Sequence, residues 1–231
     1  MADLTTLWRE KHEEDYSLAE EMVHAATHGA GALAGLIGLI VLLVAAGERG
    51  DAAGYVAAIV YGGSLVICYL ASALYHAAWE PKVKDACLAL DHAAIFLLIA
   101  GTYTPIALLA MPPEVGQPLF LTMWAIAAFG IAFKLGLHLR GMSDSYEFVS
   151  LALYLGMGWL GLVWGGGALV EALPAQGLLW LVVGGLLYTL GVGFYLWRQL
   201  KFNHVIWHFL VLAASASHFI AVLEYVLLPS A

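Results

Sequence analysis

Seven mainly apolar runs follow one another along the chain, at about residues 28–46, 54–78, 87–110, 117–139, 147–170, 176–197 and 204–228. A bilayer core about 30 Å thick is crossed by about 20 helical residues at 1.5 Å each, so every run is long enough to span. The polar connections between them are short, which predicts an all-α, seven-transmembrane-helix bundle over residues 25–231 with no room for a second domain. Residues 1–24 are different. They are polar with scattered apolar positions (Leu4, Leu7, Trp8, Leu18, Met22), a pattern that suits a short amphipathic helix lying on the membrane face.

Composition agrees with this reading. Hydrophobic residues make up 62% of 231 positions and charged residues 11%, more apolar surface than one soluble domain of this size could bury. The expected location is the cell membrane, as a multi-pass protein. No basic segment followed by a short apolar run precedes Ala25, so no cleaved signal peptide is expected. Cys68 and Cys87 are the only cysteines, and they suggest packing rather than a disulfide framework. The net charge of −8 excludes a basic nucleic-acid surface. Of the nine Lys and Arg residues, all but Arg49 fall on the N-terminal side of an alternating seven-span path, which places the N-terminus inside and the C-terminus outside.

Several local features refine the spans. Gly29, Gly31, Gly35 and Gly38 line span 1, where small residues permit close helix approach in lipid. Pro105 should kink span 3, and Gly165-Gly166-Gly167 should break the end of span 5. Thr102 lies on nearly the same face as Asp91, where it either lines a polar cleft or satisfies the kinked backbone. Trp124, Trp164 and Trp180 are expected near the outer interface, and Trp79, Trp197 and Trp207 near the inner one.

The ionisable residues carry the candidate chemistry. His204 and His208 are four apart and so share one helical face, a spacing that can hold a metal but also arises by chance. Glu21, His24 and His28 stand at i, i+3 and i+7 on another face, either a second ligand cluster or a solvated interfacial stripe. Ser72 and His76 share a face at the end of span 2. Asp91 stands in an apolar setting where a charge costs roughly 2.5–3.5 kcal/mol at mid-bilayer. The alternating path brings His28, His76, Asp91, His204 and His208 to one depth. Three histidines with one open position is the usual form of a catalytic zinc site. His76, His204 and His208 could supply the ligands, with Asp91 deprotonating a bound water and Ser72 orienting a ligand or the carboxylate. A proton relay through Asp91 and the histidines, or separate structural hydrogen bonds, remain as alternatives. His218, about 21 Å along the helix from His204 at ~1.5 Å per residue, cannot share their metal.

The motifs Glu21-x-x-x-x-x-Thr27-His28-Gly29, Ser72-x-x-x-His76, Leu90-Asp91-x-x-x-Ile95 leading to Gly101-Thr102-Tyr103-Thr104-Pro105, and His204-x-x-x-His208 followed by His218-Phe219 occur in this order. The chain from Glu21 onward thereby resembles the hemolysin III branch of the progestin and adiponectin receptor family, which is related to alkaline ceramidases. The resemblance implies a seven-span bundle with an inner N-terminus. It also implies Zn2+ held by His76, His204 and His208, with Asp91 touching the metal-bound water and Ser72 as the serine of its motif. His24 stands where that family would lead one to expect asparagine. Two functions follow as expectations: a zinc-dependent hydrolase of lipid amide or ester bonds, whose substrate comes from the surrounding membrane lipids, or a receptor or membrane-state sensor with a structural zinc. Pore formation, suggested by the family name, and ion or proton transport are lesser alternatives.

Overall fold

The computed structural model describes residues 16–142 and 146–228. It consists of seven long helices: α1 (Leu18–Arg49), α2 (Ala52–Ala77), α3 (Pro81–Pro105), α4 (Pro113–His138), α5 (Glu147–Ala172), α6 (Ala175–Leu196) and α7 (Asn203–Val222). Each is long and apolar enough to cross a membrane, and together they form the seven-span bundle of a multi-pass membrane protein. Of the proposed amphipathic segment, residues 1–15 lie outside the described residues, as do the last three residues of the chain.

The boundaries follow from capping chemistry. A capping box starts α1: the Ser17 hydroxyl accepts from the Glu20 amide, and the Ser17 amide donates to the Glu20 carboxylate at 3.0 Å. The helix therefore begins ten residues before the apolar run and carries Glu21, His24 and His28 as part of span 1. Asp51 and Glu80 cap α2 and α3 through the amides of Gly54 and Val83, and Pro81 occupies the first turn of α3, where its missing N–H has no partner to lose. Gly50, at φ +76°, ends α1 in the left-handed region.

Two irregularities fall where the sequence suggests them. Gly165 takes a non-helical conformation (φ −116°, ψ 15°) that interrupts α5 at a kink, after which the helix resumes to Ala172. Flanking residues such as Leu169, buried in the core, hold the chain helical past the glycines. Beyond Pro105 the backbone widens into a π-helical turn, Ile106–Ala110, and α7 ends in another, Leu223–Leu227. Thr102 and Thr104 donate their hydroxyls to the carbonyls of Leu98 and Ala100, so threonine serves the backbone near the proline, while Thr102 also lines the internal cavity.

Both ends of α1 meet the corresponding ends of α7. Tyr16 lies 3.2 Å from His204, and the Arg49 guanidinium donates to the Val226 carbonyl. First and last helices thus run parallel, as an odd number of alternating spans requires. The end where α1, α3, α5 and α7 begin is here the proximal end. One core joins α1, α2, α3 and α7 around Leu42, Tyr61, Leu65 and Tyr69, and another joins α3, α4 and α5 around Phe96, Leu119, Met123 and Met157.

Candidate metal centre

The proximal site is assembled by three helix ends. On α1, Glu21, His24, Thr27 and His28 recur at helical spacing, and both histidines are buried. Close approach of the neighbouring helices depends on Gly31, one turn further: a Cβ there would sit 2.7 Å from Leu212 and 3.1 Å from the Tyr69 ring. On α2, Ser72 and His76 are buried one turn apart. On α7, the buried Asn203 donates its side-chain amide to the carbonyls of Phe194 and Tyr195 at 3.2 and 3.1 Å. Those bonds satisfy the end of α6 and set where His204 and His208 begin.

His24, His76 and His204 place one ring nitrogen each within 4.8 Å of one another and could hold a metal ion. The His208 ring packs against all three. The six distances between these four ring centres run from 4.7 to 5.2 Å. Four imidazoles on a tetrahedral metal, with metal–nitrogen bonds of about 2.0–2.1 Å, would have ring centres roughly 5 Å apart. The residues therefore fit a metal ion in both spacing and chemistry.

Hydrogen bonding prepares the ligands. The His76 Nδ1–H donates to Glu21 Oε2 at 2.6 Å, and Lys84 Nζ donates to Glu21 Oε1 at 2.7 Å. Thr27 spends its one hydroxyl proton on the carbonyls of Val23 or His24, so at 3.0 Å it accepts from His208 Nδ1–H. Both rings are thereby held in the tautomer that leaves the Nε2 lone pair free, the form a metal needs. The His76 Nε2, the His28 Nε2 and both nitrogens of His24 are buried without a hydrogen-bond partner among the described residues. At about 1–3 kcal/mol for each unsatisfied group, the loss would be comparable to the roughly 5–15 kcal/mol net stability of a folded protein. A metal held by His76 Nε2 and one His24 nitrogen would remove part of that penalty.

The remaining predicted residues surround this centre. His28 stacks on His208 with ring centres 3.5 Å apart and bonds Ser72 through Nδ1 at 2.7 Å. Glu21 Oε2 lies 3.8 Å from His24 Nδ1 as well as beside His76, so the α1 cluster and the α2–α7 histidines form one constellation, not two. Asp91 is outside the three-histidine group. It lies next to Ser72 and Cys68 and faces an internal cavity. His218 is elsewhere, donating from Nε2 to the Leu181 carbonyl at 3.0 Å. Cys68 and Cys87 are both free. The participation of His24 alongside His76 and His204 is the feature that spacing alone did not single out, although its place three residues after Glu21 on the buried face was visible.

The cavity, of about 620 Å³, begins at this cluster. His28, Ser72, Asp91, His204 and His208 make its polar end, and Ile95, Ile99, Leu151, Leu155, Leu181 and Val182 are among its apolar walls. It runs between α3, α5, α6 and α7.

Residues 16–219 match the family described as haemolysin-III related. A Bacillus cereus protein described as Hemolysin-3 is 43% identical over 208 residues, covering 90% of this chain and 92% of its own. A Hemolysin-3 homolog of Bacillus subtilis (strain 168) is 37% identical over 210 residues, covering 91% of this chain and 96% of its own. The human monocyte to macrophage differentiation factor is 28% identical over 172 residues, 72% of this chain and 68% of its own. With seven membrane-spanning helices, a buried histidine cluster at their proximal end and these relatives, the chain belongs to the haemolysin-III-related family, the branch of the progestin and adiponectin receptors that its motifs resemble.

Proposed function

We propose that this protein is an intramembrane zinc-dependent hydrolase acting on a lipid amide, of the ceramide type, or on a lipid ester. The observation that carries the reading is the joining of a histidine metal centre, Ser72 and Asp91 to one end of an apolar cavity. Imidazole donors suit zinc, copper, iron and nickel, and hydrolysis without redox chemistry favours zinc among them. Zinc held here would polarise a carbonyl and lower the pKa of a coordinated water from 15.7 towards about 7. His76, His204 and His208, the ligands that the motifs imply, would hold it, with the His208 ring packed against the group of His24, His76 and His204. Asp91 accepts the proton, and Ser72, held by His28, orients the carboxylate or the substrate. The apolar walls take the acyl chain and keep bulk water from the reacting carbon, while the lipid's polar group stays at the proximal end. The basic-residue asymmetry supports placing that end, and the N-terminus, on the cytoplasmic side of the cell membrane.

Lipid profiling tests this directly. Purified protein incubated with a mixed lipid extract should release fatty acid from one amide or ester class. Asp91→Asn should retain zinc and lose roughly 10²–10⁴ in rate, the usual worth of a general base. Zinc-replete wild type that cleaves no lipid across the extract would defeat the hydrolase. A receptor or sensor with a structural zinc would then be the better account, and the fourth imidazole, from His24, already favours it on one point: structural sites are closed by four protein ligands.

A further inference from the structure

We propose that His24 is a fourth protein ligand, so that the metal site rests closed and must lose this imidazole before a substrate can reach the metal. The inference rests on the zinc reading above but not on hydrolysis. His24 is fully buried, and neither of its ring nitrogens has a hydrogen-bond partner among the described residues. One of its ring nitrogens lies within 4.8 Å of the ligand atoms of His76 and His204, and with the proton on the other nitrogen it offers them a lone pair that no hydrogen bond uses. Its ring centre is 4.7 Å from His76, 4.7 Å from His204 and 5.1 Å from His208, the spacing that four imidazoles around one tetrahedral ion would have.

Its helix is held on both sides of it. One turn before His24, Glu21 binds His76 and Lys84; one turn after, Thr27 binds His208. These ties fix α1 against α2, α3 and α7 and point His24 at the centre. A tetrahedral zinc with four imidazoles has no position left for water or a carbonyl oxygen. Turnover then requires the His24 side chain to rotate away or the first turns of α1 to shift, which makes this residue a gate.

X-ray absorption at the zinc edge of the full-length protein counts the imidazoles, and a cobalt-loaded sample reports solvent at the metal through the relaxation of bulk water protons. Wild type should show four imidazoles and no exchangeable water. His24→Asn should keep about one metal per chain, fall to three imidazoles plus an oxygen, relax water at least threefold more strongly, and release metal to a chelator at least tenfold faster. Three imidazoles in wild type overturn the closed site whether or not His24→Asn lowers that number, and this result needs no variant to fold. Wild type that takes up neither zinc nor cobalt overturns the zinc reading together with the inference. Zinc bound by four imidazoles in a protein without lipid hydrolysis upholds the inference while the hydrolase falls.

Discussion

α1 packs closely on α2, and their polar side chains interlock with those of α7 at one depth, whereas α5 and α6 touch each other sparsely, α6 packing instead on α7, and present mostly apolar faces to the cavity between them. The first region has Glu21 bridging His76 and Lys84, Thr27 holding His208 and Ser72 holding His28. The seam between α5 and α6 has Tyr195 bonded to Glu147 at 2.5 Å and the Trp159 indole bonded to Thr189 at 3.1 Å, while other polar ties of α6, such as Tyr188 to Ser215, go to α7. In lipid, apolar faces gain little by leaving the surrounding chains, so helix association depends on packing and hydrogen bonds. The bundle is thus built to hold a centre rigid on one side and to let a wall yield on the other. The proposed lipid substrate would need both.

The largest effect should come from removing a ligand in the rigid region. His76→Ala is expected to reduce zinc from about one per chain to less than a tenth after a chelator wash, by elemental analysis, and full retention would remove His76 from the ligand set. A smaller effect should follow when the ligand stays but its support goes. Glu21→Gln keeps shape while weakening the bond that orients His76, and metal affinity should fall about 10–100-fold in a competition titration. An unchanged affinity would mean that packing alone orients the ring. The smallest effect belongs to the yielding side. Thr189→Val removes the acceptor of the Trp159 indole and should cost about 0.6 kcal/mol, the average for such bonds between membrane helices. Zinc content should not change, and denaturant titration in detergent should show only a slight shift. A loss of metal there would mean the two regions are coupled.

The spans were legible because apolar length is a direct physical requirement of the bilayer. The common depth of the histidines was legible for a related reason: alternating short-looped helices leave few choices of which ends meet. The start of α1 was not read, although Ser17-x-x-Glu20 is a capping box, because a capping signal inside a polar segment is weaker than the onset of hydropathy beside it. Without that start, Glu21, His24 and His28 read as either a second ligand cluster or an interfacial stripe, separate from the other histidines in both cases. Their convergence on His76 and His204 depends on how closely α1 approaches α2 and α7, set by contacts such as those at Gly31, and no one-dimensional pattern encodes that distance. The interruption at Gly165 was legible, because a glycine run permits it, but the resumption of the helix beyond it, with Leu169 buried, was not.

The centre also joins the two ends of the chain: Thr27 and His208 are 181 residues apart in sequence, Tyr16 and His204 188. During synthesis α1 and α2 enter the membrane before the imidazoles of α7 exist, and they wait until that helix has been made. Ring closure across the whole polypeptide is the slow, high-contact-order step, and any ion that needs histidines from both ends can bind only after it. Capture of the proposed metal would therefore mark the arrival of α7, without which His204 and His208 are missing from the proximal end.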